Sequence, residues 1–337
     1  MALPATMKAI NLNKPAGPAG TVTFTNGSTK DLTFNPSQPM PSPSPTQALI
    51  RVHAVAVTPY ELTWGFPPQS EPRVPCHDIA GTIVSAPANS GFAPGDRVFG
   101  LLDYMGQGGM AEYTVGEPEY LVKIPEGLDF VEAASVSRSA LTVWQAMRVQ
   151  GGGLLKEGMK VLVTGATGAV GRYAIQMIKH FVGKEGKVIA LGGKGSEGLK
   201  ALGADVVVNY RETKEWDEAV KKEGPVDLIF DCVGKKTLEK ALALVKDGGA
   251  IVTIGSPPPD VVHVEGWNEL KERNVNGIFF IVGPQGEQLA QIAALISKGV
   301  VKPSVALVVD LSEKSVRDGW DTALNGGFGG TLVVKVL

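Results

Sequence analysis

Gly165, Gly168 and Gly171 stand three residues apart, between an apolar run at residues 161–164 (VLVT) and a helical run at residues 173–181 (YAIQMIKHF). A strand, a glycine turn and a helix place free backbone N–H groups at the positive end of a helix dipole, a setting that suits a pyrophosphate. Gly168 would let the backbone approach that ligand, and Gly171 would let the helix pack on the strand. The first glycine of the usual G-x-G-x-x-G is here Ala166, so the motif reads A-x-G-x-x-G. An ordinary βα turn in a chain with 42 glycines is the plainer alternative, and the flanking strand and helix weigh against it.

A second group of residues bears on which dinucleotide would fit. NAD-binding versions of such a turn carry an acid about 20 residues on, at the end of the next strand. That strand is VIAL (188–191), followed by Gly192, Gly193, Lys194, Gly195 and Ser196, with no Asp or Glu in the run. A carboxylate there would repel a 2′-phosphate, whereas Lys194 and Ser196 would bind one. Both features point to NADPH, against the plainer reading of Lys194 as a solvated loop lysine. A third group, Cys76, His77 and Asp78, carries metal-ligand types in sequence. Catalytic zinc takes about three protein ligands and favours S and N donors. Cys76 reads either as a reactive thiol or as a small buried residue.

The elements that must position these residues follow from composition and pattern. A chain of 337 residues suggests two domains, each able to bury a core. A net charge of −2 with no long basic run argues against nucleic acid as a partner. No apolar stretch is long enough for a membrane span, and the N-terminal segment lacks the pattern of a signal peptide. Two cysteines make neither a four-cysteine zinc lobe nor a disulfide framework, so the expected compartment is the cytoplasm. Residues 1–125 read as short strands and turns: 7–11, 21–24, 48–57, 79–84, 91–100 and 108–115. The proline-rich stretch 36–45 reads as a stiff extended connector.

After Pro125 the pattern becomes a helix at 130–148, then strands at 160–164, 187–191, 205–208, 226–230 and 249–254. These alternate with helices at 170–182, 196–202, 214–222 and 235–245. Such alternation predicts a parallel sheet covered by helices. A further strand at 277–282, a helix at 285–297 and strands at 305–309 and 331–336 complete the reading.

In this order and spacing, several blocks resemble one family. They are GFAPGDRVFG (91–100), GGMAEYTV (108–115), SALTVWQAM (139–147), VLVTGATGAVG (161–171), LGADVVVNY (202–210) and FDCVG (230–234). The chain resembles the medium-chain dehydrogenase/reductase superfamily, in its zinc-independent quinone oxidoreductase and enoyl reductase branch. The resemblance runs from about Met7 to Val336. It implies an α/β fold, with a Rossmann doubly wound parallel sheet inserted into a β-rich GroES-like catalytic domain. The GroES-like part would be residues 1–128 and 283–337, and the Rossmann domain residues 129–282. The resemblance places the active site in the cleft and suggests a homodimer paired through the strand near Ile278 and Ile281.

Carried over residue by residue, the resemblance puts the pyrophosphate on Gly165, Ala166, Thr167, Gly168, Ala169, Val170 and Gly171. It puts the adenosine 2′-phosphate near Gly193, Lys194, Ser196 and Tyr210, with Lys200 an alternative cation. Cys232, Val233, Ile254, Gly255 and Ser256 would lie beside the ribose and nicotinamide, Phe279 and Ile281 near the carboxamide, and Thr142 near the nicotinamide ring. Zinc-dependent relatives have a cysteine where this chain has Thr58, and G-H-E where it has Cys76-His77-Asp78. The implied reading is no metal, with His77 and Asp78 as hydrogen-bonding residues at a strand start.

Quinone oxidoreductases usually show N-x-x-D where this chain has Thr58-Pro-Tyr-Glu61, followed by Trp64. That departure suggests a more hydrophobic pocket for a small-molecule substrate. The expected chemistry is hydride addition to the activated C=C of an enone, enal, quinone or enoyl thioester. Thr58 or Thr142 would steady the carbonyl oxygen, and Tyr60 or water would supply the proton. Tyr60 reads equally as a packing aromatic. The alternatives are a metal-free carbonyl reductase or alcohol dehydrogenase, and an NADPH-binding protein with little turnover.

Overall fold

The computed structural model describes residues 3–13, 23–24, 27–65, 73–148, 153–255, 264–326 and 328–337. Two compact units emerge. The first is Met1–Leu141 with Gly283–Lys298 and Pro303–Leu337; the second is Thr142–Val282 with Gly299–Lys302. The main division thus falls at Leu141/Thr142, inside a helix, rather than at residue 128.

The first unit opens with β1 (Thr6–Leu12), β2 (Thr23–Phe24), β3 (Leu32–Pro39), β4 (Ala48–Val57), β5 (Trp64–Gly65), β6 (Asp78–Ser85), β7 (Arg97–Leu101), β8 (Tyr113–Gly116) and β9 (Leu121–Lys123). Helices α1 (Phe130–Ala134) and α2 (Ser137–Arg148) follow. The expected single helix over 130–148 is therefore two. The first is started by a capping box between Asp129 and Glu132, and it ends where the Ser135 N–H bonds back to Val131 and Glu132. The proline-rich stretch is not all connector, because Pro36 and Pro39 lie in β3, which pairs antiparallel with β1 alone. An edge position is where a strand tolerates residues with no N–H.

The second unit holds β10 (Lys160–Thr164), α3 (Ala169–Val182), β11 (Lys187–Gly192), β12 (Val206–Asn209), α4 (Trp216–Lys221), β13 (Val226–Asp231), α5 (Lys235–Leu242), β14 (Val245–Thr253) and β15 (Asn276–Phe279). The expected helix over 196–202 is two 3₁₀ turns, Ser196–Gly198 and Lys200–Leu202. Left-handed glycines at 195 and 203 bound this segment. The six strands form one parallel sheet in the order β12-β11-β10-β13-β14-β15. Val161, Val163, Ile189, Leu228, Ile229, Phe230 and Ile251 are all buried, as expected where helices cover both faces of a sheet.

The chain then returns to the first unit with α6 (Gly286–Ser297), β16 (Val305–Asp310), α7 (Glu313–Leu324) and β17 (Thr331–Lys335). β17 inserts between β16 and β4 in a seven-stranded sheet ordered β16-β17-β4-β6-β7-β9, with β8 paired to β4 off that path. β4 is hydrogen-bonded to β17, β6 and β8, which accounts for its near-continuous apolar sequence ALIRVHAVAV. Helix α7 was not expected. Its Trp320 is fully buried beside Leu332 and Val334 in the core of this unit. None of the described helices is long and apolar enough to cross a membrane.

Candidate functional site

In the second unit, β10 lies between β11 and β13. The chain runs outward through β11 and β12, then returns to β10's other side and runs outward through β13, β14 and β15. The reversal between β10 and β13 is a topological switch point, where open parallel sheets bind ligands beyond the carboxyl ends of their strands. Register fixes a row across those ends: Leu191 beside Thr164, Thr164 beside Asp231, Asp231 beside Thr253, Thr253 beside Phe279. Gly165, Cys232, Val233, Ile254 and Gly255 follow that row by one or two positions, Gly193 and Ile281 by two, and Tyr210 follows the end of β12. Sequence-expected residues from six segments thus come to one edge of one sheet.

The turn after β10 is built to admit an anion. Gly168 caps α3 with extended backbone, is exposed, and offers no side chain to the first turn. The first bond of the helix is Arg172 N–H to Gly168 O, so the amides of Ala169, Val170 and Gly171 precede it without intrahelical acceptors. A Cβ at Gly171 would stand 2.3 Å from the Gly165 carbonyl oxygen, so the helix approaches the turn only because this residue is glycine. Two members of the expected cradle do other work. Ala166 N–H donates to Leu191 O and Gly168 N–H to Gly165 O, which fixes the shape of the turn. The cradle left open is the start of α3, and its geometry fits a pyrophosphate.

The loop after β11 brings Gly193 and Tyr210 together. A Cβ at Gly193 would lie 2.5 Å from the Tyr210 hydroxyl, so the half-exposed phenol rests on bare backbone. Lys194 is exposed next to it. Ser196, expected as a phosphate ligand, is instead buried, and its hydroxyl donates to the Gly193 carbonyl at 2.6 Å. That hydroxyl closes the loop. Ser256 lies outside the described residues.

The residue that sequence reasoning missed here is Asp231. It is fully buried at the switch point. Thr164 and Thr253 donate their hydroxyls to its carboxylate, the latter at 2.6 Å. Val233 N–H and Gly234 N–H donate to it at 3.2 and 2.9 Å. The two hydroxyls accept in turn from Cys232 N–H at 3.2 Å and Gly255 N–H at 3.1 Å. One carboxylate thereby sets the turns after β13 and β14. An acid ending the otherwise apolar strand VDLIFD was the available signal. Burial pushes the Cys232 thiol well above its ordinary range, with the Asp231 charge adding to it, so this cysteine is a neutral wall residue.

In the first unit, Thr58 and Tyr60 belong to a short turn. Residues Pro59–Thr63 form a 3₁₀ helix, closed by Glu61 N–H to Thr58 O at 2.9 Å and by Thr63 Oγ1–H to Tyr60 O at 2.7 Å. Tyr60 is 60% exposed, whereas Glu61 is fully buried. Beneath the turn lies a cluster of charged groups. Glu61 Oε1 accepts from Cys76 N–H at 2.9 Å and lies 3.0 Å from His77 Nδ1 and 3.8 Å from Arg73. Asp78 accepts from Arg138 Nε–H at 2.9 Å and from the Arg138 backbone amide. The Arg138 guanidinium sits 4.6 Å over the Tyr104 ring.

Burial works against the Glu61 charge, but His77, Arg138 and Arg73 outweigh it and bring the carboxyl down to about 2. Burial raises the Cys76 thiol well above its usual range. His77 and Asp78 therefore have protein partners, as expected for hydrogen-bonding residues. Among the described residues no group of three His, Cys, Asp or Glu side chains is placed to hold a metal. Thr142, on α2, is buried, and the side chain of Trp64 lies outside the description.

The sequence and fold have relatives. An alcohol dehydrogenase GroES-like domain matches residues 44–126, and a zinc-binding dehydrogenase domain matches residues 202–318. The chain is 35% identical to the "Probable zinc-binding oxidoreductase, mitochondrial" of Arthroderma benhamiae, over 89% of this chain and 92% of that one. It is 30% identical to the 2-methylene-furan-3-one reductase of Solanum lycopersicum, over 91% of this chain and 76% of that one. The structure of the quinone oxidoreductase from Coxiella burnetii superposes with a TM-score of 0.81 at 26% identity, over 98% of this chain and 99% of that one. The chain belongs to the medium-chain dehydrogenase/reductase superfamily, as a quinone oxidoreductase-like oxidoreductase in a family that binds nicotinamide cofactors.

Two predictions follow from these clusters. Asp231→Ala strands two hydroxyls and two amides, and it is expected to cost about 3 kcal/mol or more in a denaturation experiment, with weaker dinucleotide binding. An unchanged midpoint would remove its organising role. For Glu61, the unfolded chain takes up a proton near the ordinary 4.5 and the folded chain only near about 2. Its stabilising contribution is therefore complete above 4.5 and is lost as pH falls toward 2. Glu61→Gln should flatten the pH–stability curve in that window, and a curve parallel to the wild type's would contradict the assignment.

Proposed function

We propose that this member of the superfamily is an NADPH-dependent reductase that saturates the activated C=C of a small, largely apolar α,β-unsaturated carbonyl compound without a metal. The observation that carries the proposal is the registered row of strand ends with its open helix start. It offers a dinucleotide a pyrophosphate cradle at Ala169–Gly171 and a wall at Cys232, Val233, Ile254 and Gly255. The absence of an acid after β11, with Lys194 and the Tyr210 hydroxyl beside Gly193, supports the 2′-phosphate form. A relative whose name denotes an enone reductase supports the C=C assignment. The engagement of His77 with Glu61 and of Asp78 with Arg138 supports chemistry that needs no metal.

In this reading each residue has one task. The amides opening α3 bind the pyrophosphate, Lys194 neutralises the 2′-phosphate, and Phe279 and Ile281 flank the carboxamide. The bound cofactor supplies a hydride to the substrate's β-carbon. Thr58 or Thr142 donates a hydrogen bond to the substrate oxygen as charge builds on it. Tyr60 gives a proton to the α-carbon from its hydroxyl. The edge of β15, with Ile281 67% exposed beyond it, is proposed to pair with a second copy. The two unpaired thiols, Cys76 and Cys232, suit a reducing compartment such as the cytoplasm.

Oxidation of NADPH against enals, enones, quinones, enoyl thioesters and simple aldehydes, with NADH and chelator controls, tests the whole reading. Chelator-resistant turnover of alkenes supports it, and turnover of aldehydes alone would make the protein a carbonyl reductase. Lys194→Ala is expected to raise the KM for NADPH about ten-fold and leave that for NADH nearly unchanged. Equal shifts would remove the phosphate role. Tyr60→Phe is expected to lower kcat on an enone about ten- to hundred-fold at constant NADPH affinity. An unchanged kcat would make water the proton source.

A further inference from the structure

We infer that Glu61 is a positioning residue, whose buried carboxylate fixes the turn that presents Thr58 and Tyr60. The inference rests on the reading in which those two residues act on the substrate. A five-residue 3₁₀ turn has poor hydrogen-bond geometry and little stability of its own, so its shape must come from what it packs against.

The structure shows two anchors, one on each side of Tyr60. On one side Glu61 is driven inward onto the segment leading into β6, where Cys76 N–H donates to it and His77 and Arg73 lie against it. On the other side Trp320 Nε1–H, from α7, donates to the Pro59 carbonyl at 2.8 Å. Leu62, next in the turn, is buried as well. Tyr60 lies between these anchored neighbours and is the exposed member of the turn.

The choice of a carboxylate is informative. An apolar side chain at position 61 would bury equally well, but without direction. A buried carboxylate is costly unless its cations and donors meet it in one geometry, so it admits few alternative positions of the turn. Cys76 contributes from the other side. Its backbone sits at a φ of +65°, an uncommon left-handed conformation for a residue with a side chain. That conformation belongs to the residue whose amide meets Glu61. Glu61 Oε2 is buried and has no hydrogen-bond partner among the described residues, so the grip is made through Oε1.

Glu61→Gln keeps the size of the side chain and its ability to accept from Cys76 N–H, and removes the charge that His77 and Arg73 face. At neutral pH, hydrogen exchange at the amides of residues 58–63 is expected to quicken about ten-fold or more. The kcat on an enone should fall about ten-fold, with NADPH affinity unchanged. In a Tyr60→Phe background the same substitution should change kcat less than about two-fold, because a positioning residue acts through the group it positions. Unchanged exchange overturns the anchoring role. Faster exchange with unchanged kcat overturns instead the assignment of Thr58 and Tyr60 to the substrate. If the Gln variant does not fold, Glu61→Asp keeps the charge and draws it back by one bond. Faster exchange confined to residues 58–63 then supports the inference, and exchange like the wild type's overturns it.

Discussion

The Asp231 carboxylate, buried where the sheet reverses direction, is the constraint on which the second unit depends. A charge in that position is tolerated only if donors surround it. The donors are the last side chains of β10 and β14 and the amides of Val233 and Gly234 after β13. Satisfying the charge therefore fixes, in one step, the turns that follow β13 and β14 at the switch point. Register carries that order outward, because parallel pairing aligns the end of each strand with its neighbour's. The glycines are then permissive rather than directive, leaving space where backbone and ligand approach.

The first unit uses the same device with different parts. Two acids, Glu61 and Asp78, meet Arg73, Arg138 and His77 beneath a turn that would otherwise be loose. Burial alone would drive these acids toward their neutral forms, and the arginines and histidine hold Glu61 ionised. In both units buried charge is used for geometry, in keeping with its weak value for net stability.

The parallel sheet was legible because its strands are short apolar runs separated by helical ones, and the glycine turn between β10 and α3 because glycine spacing is local. The organising role of Asp231 was not legible. Two of its donors lie 67 and 22 residues away, and only the folded sheet brings them together. Helix α7 escaped although its buried residues, Val316, Gly319 and Trp320, fall at helical spacing. Its Ser312 cap, accepting from Ser315 N–H, was the available sign. Ser196 was assigned by residue type to a phosphate and by structure to its own loop, because a hydroxyl beside a free carbonyl bonds locally first. The helix expected over 196–202 is two 3₁₀ turns bounded by left-handed glycines at 195 and 203.

The insertion of β17 between β16 and β4 has a consequence for how the chain matures on the ribosome. The second unit is nearly continuous, from Thr142 to Val282, and its sheet is complete once β15 has emerged. The first unit begins earlier but finishes later. On one edge of β4, among the most apolar strands of the protein, residues 54–57 have no strand partner until residues 331–335 are synthesised. Until then it presents an unpaired apolar edge to the crowded cell, the kind of surface that invites aggregation or a chaperone. The order of synthesis thus lets the second unit complete its sheet first, and leaves the unit carrying Tyr60 dependent on its most distant strand.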